Sequence, residues 1–254
     1  MRLAMRVADK LKSLFTPIEV QCAPLDERRG VCPICDGYHG GVKGTFCANC
    51  LDQLEFTYSW LSPFRCKNEE MALFEHVLPL CYYGGGVIRQ SIFQFKYHEQ
   101  FPIGEAYAHL LGAYLRAGGW AESFDAIVPV PLHWRKLLLR GYNQTELLAA
   151  TLGEELSLPV TPVLRRVKYG RSQTRVAERN ANVQGSFRLV RDAAARYAGQ
   201  RLLLFDDVLT SGATSLACAA CLREIPGVHL SFASIAVRHS IQKAQKDESG
   251  IEER

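Results

Sequence analysis

Two groups of residues in this chain could do chemistry. The first is Cys32-Pro33-Ile34-Cys35 followed by Cys47-Ala48-Asn49-Cys50. Two residues between thiolates let one tight turn present both sulfurs to one ion. Two such turns supply the four-sulfur set that suits tetrahedral zinc. Gly37, Gly40, Gly41 and Gly44 between the pairs suit a hairpin-like loop. Four thiolates leave no open position for water, so a Zn2+ held here is expected to be structural. It would supply folding energy to a segment too small to build its own core. Unmetallated thiols are the competing reading. His39 could replace one cysteine as ligand, but a solvated loop histidine is the plainer expectation.

The second group is Asp206-Asp207 followed by Thr210-Ser211-Gly212-Ala213-Thr214. The apolar run Arg201–Phe205 reads as a strand that ends in the two carboxylates. A small hydroxyl-rich turn and a helix follow. Gly212 lets the backbone approach a ligand closely. The N–H groups and dipole of the helix start attract an anion, and Thr210, Ser211 and Thr214 add hydroxyl donors. Adjacent carboxylates beside such a cradle suit a diol, because they accept hydrogen bonds from two hydroxyls. Phosphate and diol side by side describe a ribose 5-phosphate. The plain alternative is a strand leading into a capped helix.

The elements that must position these residues fall into three zones. Residues 1–76 hold six of the nine cysteines and little sustained periodicity, with the zinc knuckle at about 30–52. Residues 77–239 alternate strands with helices. Strands are expected at His76–Tyr83, Ala126–Val130, Arg201–Phe205 and Leu230–Val237. Helices are expected at Val87–Lys96, Gly104–Ala117, Thr145–Leu156 and Ala213–Ile225. Such alternation implies βαβ units, hence an α/β fold with a mainly parallel sheet flanked by helices. Residues 240–254 are polar and read as a tail. An amphipathic helix is expected at about residues 3–15.

At 254 residues the chain fits one large domain or two modest ones. Hydrophobic residues make up 48%, which excludes a disordered or fibrous chain. No run of 18 apolar residues suggests a membrane span. The basic N-terminus lacks the apolar core of a secretory signal. A cytoplasmic location follows as the expectation, with reduced cysteines. Cys22, Cys66 and Cys81 have no near partner and read as packed side chains. Cys218 and Cys221 are also two residues apart, but they lie in an apolar helix, where that spacing puts both on one buried face. No G-x4-G-K-[ST] run is present. A dinucleotide fingerprint would need glycine at position 89, which is Arg89.

Taken with the strand before it, the Asp206-Asp207 turn resembles the phosphoribosyl pyrophosphate (PRPP) motif of type I phosphoribosyltransferases. Further segments occur in order: Phe95-Lys96-Tyr97-His98, Val128-Pro129-Val130-Pro131, Arg140-Gly141-Tyr142-Asn143-Gln144, and Gln173-Thr174 with Arg179 and Asn182. With the four-cysteine knuckle ahead of them, this arrangement resembles the ComF family of bacterial competence and DNA-utilisation proteins, GntX-type members included. The likeness covers about residues 30–239. It implies a type I phosphoribosyltransferase fold behind an N-terminal zinc module, and a role in uptake or handling of single-stranded DNA with the DNA-uptake machinery. It assigns the ribose hydroxyls to Asp206 and Asp207 and the 5-phosphate to Thr210, Ser211, Gly212, Ala213 and Thr214. Pyrophosphate would face the loop of Val130, Pro131 and Leu132, with Arg140, Arg171, Gln173, Arg175 and Arg179 near a mobile hood. Mg2+ would enter with PRPP. Two departures from the family pattern stand out: Cys66 lacks the second cysteine of a further C-x2-C pair, and the turn reads Thr-Ser-Gly rather than Thr-Thr-Gly.

The likeness makes a phosphoribosyltransferase the expected enzyme. A non-catalytic PRPP sensor or nucleic-acid-binding module, a nucleotide-salvage phosphoribosyltransferase, and an adaptor docking through its zinc module are the alternatives. The charge has a place in each of the first three. Residues 130–191 carry 11 Lys and Arg against four acids, a local +7, while the whole chain is only +4. This positive segment would face pyrophosphate or nucleic acid.

Overall fold

The computed structural model describes residues 30–39, 45–59, 64, 66, 69–133, 137, 142–167 and 185–239. The expected helix at 3–15, Cys22, Gly40, Gly41, Gly44, Arg140, Arg171, Gln173, Arg175, Arg179, Asn182 and the tail 240–254 lie outside these residues.

The described residues open with a short antiparallel pair, β1 (Gly30–Val31) and β2 (Tyr38–His39), then α1 (Ala48–Asp52). A 3-10 turn at Glu69–Leu73 leads into β3 (Val77–Tyr82). Then follow α2 (Gly86–Tyr97), α3 (Phe101–Ala117), β4 (Ala126–Pro129) and α4 (Gln144–Leu156). A second antiparallel pair, β5 (Leu164–Arg166) and β6 (Phe187–Leu189), brackets the segment that carries Arg171 to Arg179. The described residues close with α5 (Ala193–Arg196), β7 (Arg201–Leu209), α6 (Ala213–Leu222) and β8 (His229–Val237).

The central sheet has the order β3-β8-β7-β4, with every pair parallel. Its strands read as near-continuous apolar runs because both faces are covered. On one face Leu78, Leu80, Ile127, Leu203, Phe205 and Ile235 pack with residues of α2, α3 and α4. On the other, Val128, Leu202, Leu204, Leu230 and Phe232 pack with α6 and with Leu164 and Phe187 of the small hairpin. Cys218 and Cys221 lie buried in that second layer, as the helical spacing predicts. No helix among the described residues is long and apolar enough to cross a membrane.

The N-terminal module is stitched to the sheet rather than hung from it. Thr57 N–H donates to Leu80 O and Tyr82 N–H to Glu55 O, extending the outer edge of β3. Phe46 meets the Tyr107 ring edge to face, with centroids 4.7 Å apart.

One expectation needs correction in extent. The strand does not stop at Phe205 but runs through both carboxylates to Leu209, because Val208 and Leu209 continue the ladder against Ala236 and Val237. The ladder with β4 does stop, at Pro129 opposite Phe205. From Asp206 onward the β4 side of β7 therefore has no strand beside it among the described residues. Beyond β4, Val160 bridges in parallel to Ile127, so the connection from β4 runs outward while that from β7 runs the other way to β8. Such a reversal opens a crevice at the carboxyl ends of the strands, where ligands of open α/β sheets bind.

Candidate functional site

The four cysteines converge as their spacing predicts. The sulfurs of Cys32, Cys35, Cys47 and Cys50 all lie within 4.8 Å of one another, and Cys35 Sγ is 3.8 Å from Cys47 Sγ. A tetrahedron with metal–sulfur bonds of about 2.3 Å requires sulfurs about 3.8 Å apart, so the set fits a metal ion such as zinc. Local backbone shapes it. Cys32 N–H donates to Gly37 O, Asp36 N–H donates back to Cys32 O, and Asp36 sits at a φ of 55°. A Cβ on Gly37 would come within 3.2 Å of Cys35 Sγ. Cys47 stands at the start of α1 and Cys50 in its first turn. Burial opposes a charge on Cys32, but backbone N–H groups of Cys47, Cys35 and Ile34 outweigh it and hold the thiol below its usual pKa. His39 is not in the set, and its Nε2 lies 3.1 Å from Thr45 O. Cys66 is half-buried against the second core layer, and Cys81 is fully buried.

The acidic pair lies at the crevice between β4 and β7. Successive strand residues point to opposite faces, so the two carboxylates straddle β7 rather than stand side by side. A ligand touching both must lie across the strand near its carboxyl end. Asp207 faces α2, where Lys96 Nζ meets its Oδ2 at 2.8 Å. Asp206 Oδ1 accepts from the Asp207 N–H at 2.9 Å and from Thr145 Oγ1 at 3.4 Å. Burial first, and then the Asp207 charge, push the Asp206 carboxyl up to about 7. Lys96 is also perturbed. Burial disfavours its charge, but Asp207 and Asp206 together outweigh that and raise its pKa.

Lys96 and Thr145 were not foreseen as parts of this site, although both lie in or beside quoted segments. The two segments lock together: Tyr142 Oη donates to Phe95 O and Gln144 Nε2 to Lys96 O. Asn143 caps α4 by accepting from Thr145 N–H, which sets Thr145 in reach of Asp206. Arg166 on β5 was counted only as part of a charge run. Its guanidinium lies over the Phe187 ring, 5.3 Å from the centroid. Burial lowers its pKa, opposed by the nearby Cys218 and Asp206. Among the described residues its buried Nε has no hydrogen-bond partner. A buried guanidinium nitrogen without a partner beside this crevice suits an anion.

The turn Thr210–Gly212 delivers the chain into α6. Gly212 has a φ of +81° and offers no side-chain cap, so the first-turn N–H groups keep no intrahelical acceptor. A Cβ there would meet Met71 Sδ at 3.2 Å. Ala213 N–H donates to Ser211 Oγ at 3.4 Å. Thr210, Ser211, Ala213 and Thr214 are half-buried, open enough to touch a ligand. Gly212→Ala should cost about 1–3 kcal/mol through the left-handed backbone alone, read as a lower urea midpoint with an unchanged slope. An unchanged midpoint would show that the turn relaxes freely. Val130 and Pro131 are buried and Leu132 is half-buried at the end of β4, across the crevice from the acidic pair.

No family model matches the chain. A curated relative, competence protein F of Haemophilus influenzae, is 27% identical, with 76% of this chain and 85% of the relative covered. Among solved structures, UMP synthase of Leishmania donovani aligns over 58% of this chain at 13% identity and a TM-score of 0.33. Glutamine PRPP amidotransferase of B. subtilis aligns over 51% at 22% identity and a TM-score of 0.32. The chain spans about a quarter of the length of each of these two, 24% and 26%.

Proposed function

We propose that this ComF-like chain has a type I phosphoribosyltransferase-type site that binds PRPP with Mg2+, and that the protein serves in uptake or handling of single-stranded DNA. The observation that carries the first part is the acidic pair and glycine turn at the crevice where the connections between strands reverse direction. The likeness to competence protein F supports the second. In this reading Asp206 and Asp207 accept from the ribose hydroxyls across the strand end. Residues Thr210 to Thr214 hold the 5-phosphate on the start of α6. The loop of Val130, Pro131 and Leu132 faces pyrophosphate. Arg166, Arg140, Arg171, Arg175 and Arg179, with Gln173, are the candidates to meet its charge. Mg2+ supplies charge neutralisation through hard oxygen ligands of the substrate itself. Zn2+ is the metal proposed for Cys32, Cys35, Cys47 and Cys50, in a structural role.

As a transferase, the site breaks the bond between the anomeric carbon and the pyrophosphate oxygen. Pyrophosphate leaves with the electron pair while an acceptor bonds to that carbon and loses its proton. Positive charge grows on the sugar, as in glycoside cleavage. Calorimetric titration with Mg2+ and PRPP tests the binding: one saturable site per chain is expected, and no heat above dilution would sink the proposal. Release of pyrophosphate with a panel of nucleobases then separates turnover from sensing.

The raised Asp206 carboxyl predicts a pH dependence. Only the ionised form accepts from both hydroxyls, so PRPP affinity should rise as pH passes through about 7 and level off above it. Folding runs the other way. The native state holds a proton on Asp206 between its ordinary 3.8 and about 7, so the stability contributed by this group falls as pH rises through that window. The ligand's own phosphates titrate near 6, so Asp206→Asn is the control that must flatten the Asp206 part of the profile. A wild-type profile equal to that of the variant would refute the assignment.

A further inference from the structure

Away from the acidic crevice, one face of α2 forms an open groove of about 520 Å3 lined by Tyr83, Gly86, Arg89, Gln90, Phe93 and Tyr97. The lining follows the helical period, so it is one continuous stripe along α2. Phe93 is 50% exposed and Tyr97 57% exposed, unusual for large rings on a surface helix. The Phe93 ring sits 5.0 Å from Tyr97 and 5.4 Å from His98 by centroid, so three rings form a tilted ladder. Among the described residues Arg89 has no ion pair, and α2 contains no acid.

The composition of the stripe argues for its occupant. Among the described residues no aliphatic side chain lines the groove, so there it lacks the branched anchors that a protein helix would fill. Ring faces, a guanidinium and an amide are what unpaired bases and a phosphate backbone use. Arg89 to Tyr97 spans about 12 Å of helix, room for a short run of nucleotides. Tyr97 is one residue from Lys96, whose side chain pairs with Asp207 on the other side of the helix. We infer that this groove binds single-stranded DNA, stacking bases on Phe93 and Tyr97 and pairing a phosphate with Arg89. The inference rests on the DNA-handling role proposed above and gives it a location.

The test uses the full chain and a short fluorescent single strand, read by anisotropy, with the matching duplex beside it. Phe93→Ala and Tyr97→Ala should each weaken single-strand binding about tenfold, and Tyr97→Phe should retain it. Arg89→Ala should reduce the slope of log affinity against log salt by about 0.7. The duplex should bind more weakly, since its bases are already stacked. Phe93→Ala and Arg89→Ala should leave PRPP titration unchanged. If wild type binds the strand and Phe93→Ala binds it equally, the groove is refuted while DNA handling stands. If wild type does not bind the strand, both fall, and the PRPP titration on the same samples judges the other site separately.

Discussion

Removing the zinc proposed for the four cysteines, by chelation or by Cys50→Ser, is expected to unfold the N-terminal module and depress the melting temperature of the whole chain. Cys32 and Cys50 are buried in the same apolar layer as Tyr107, Leu111 and Phe205. Burial and the neighbouring thiols push the Cys50 thiol far up, so without a cation it stands as a neutral sulfur in that apolar layer. Structural zinc contributes on the order of 10–16 kcal/mol in small modules. A domain of this size is stable by only about 5–15 kcal/mol, so the two are comparable. The loss should spread beyond the module because Phe46 packs on Tyr107, whose hydroxyl is 2.7 Å from Ser91 Oγ on α2. Cys35→Ser is the gentler variant, since Cys35 is exposed. Bound zinc and melting temperature should fall together. Cys66→Ala, outside the set, should keep its zinc. A chain that loses its zinc and melts at the same temperature would contradict a structural role.

The second large effect is expected from Asp206→Asn with Asp207→Asn. A hydrogen bond to a charged group contributes about 1.5–3 kcal/mol. Losing two such acceptors should weaken PRPP binding a hundredfold or more, which calorimetry would read as disappearance of the isotherm. The single variants separate folding from binding. Asp206→Asn removes a carboxyl whose charge is disfavoured by burial, so it should melt no lower than wild type at neutral pH while binding PRPP poorly. Asp207→Asn strips Lys96 of its partner at 2.8 Å, a pair only 21% and 17% exposed. It should lose both binding and some stability. Full PRPP affinity in the double variant would mean that the carboxylates face no ribose.

Much of the frame was legible because it is written locally. Apolar runs of strand length between helical patterns marked each strand of the sheet. The paired cysteines declared their convergence through residue type and spacing. What stayed hidden depends on contacts between distant segments. Lys96 and Asp207 lie far apart in the chain, and nothing in either neighbourhood says that they pair. The straddling of β7 by its carboxylates was missed because the strand was expected to end at Phe205. Only the ladder to β8 carries it on to Leu209. The β5–β6 hairpin escaped notice because three-residue strands carry too little periodicity to announce themselves. Arg166 lay on it, and a basic residue in a basic run looks solvated until its burial is known. The aromatic stripe on α2 was hidden for a different reason: a helical pattern does not say which rings stay exposed, and only the exposure of Phe93 and Tyr97 sets them apart.

The central claim is that a ribose 5-phosphate lies across the end of β7 with its phosphate on α6. The most direct measurement is a crystal structure of the chain with Mg2+ and PRPP bound. It should show the ribose hydroxyls within hydrogen-bond distance of Asp206 and Asp207, and the 5-phosphate on the N–H groups and hydroxyls of Thr210 to Thr214. Lys96 should have yielded or shared Asp207. Ligand density elsewhere, with the Lys96–Asp207 pair intact and the start of α6 bare, would contradict it.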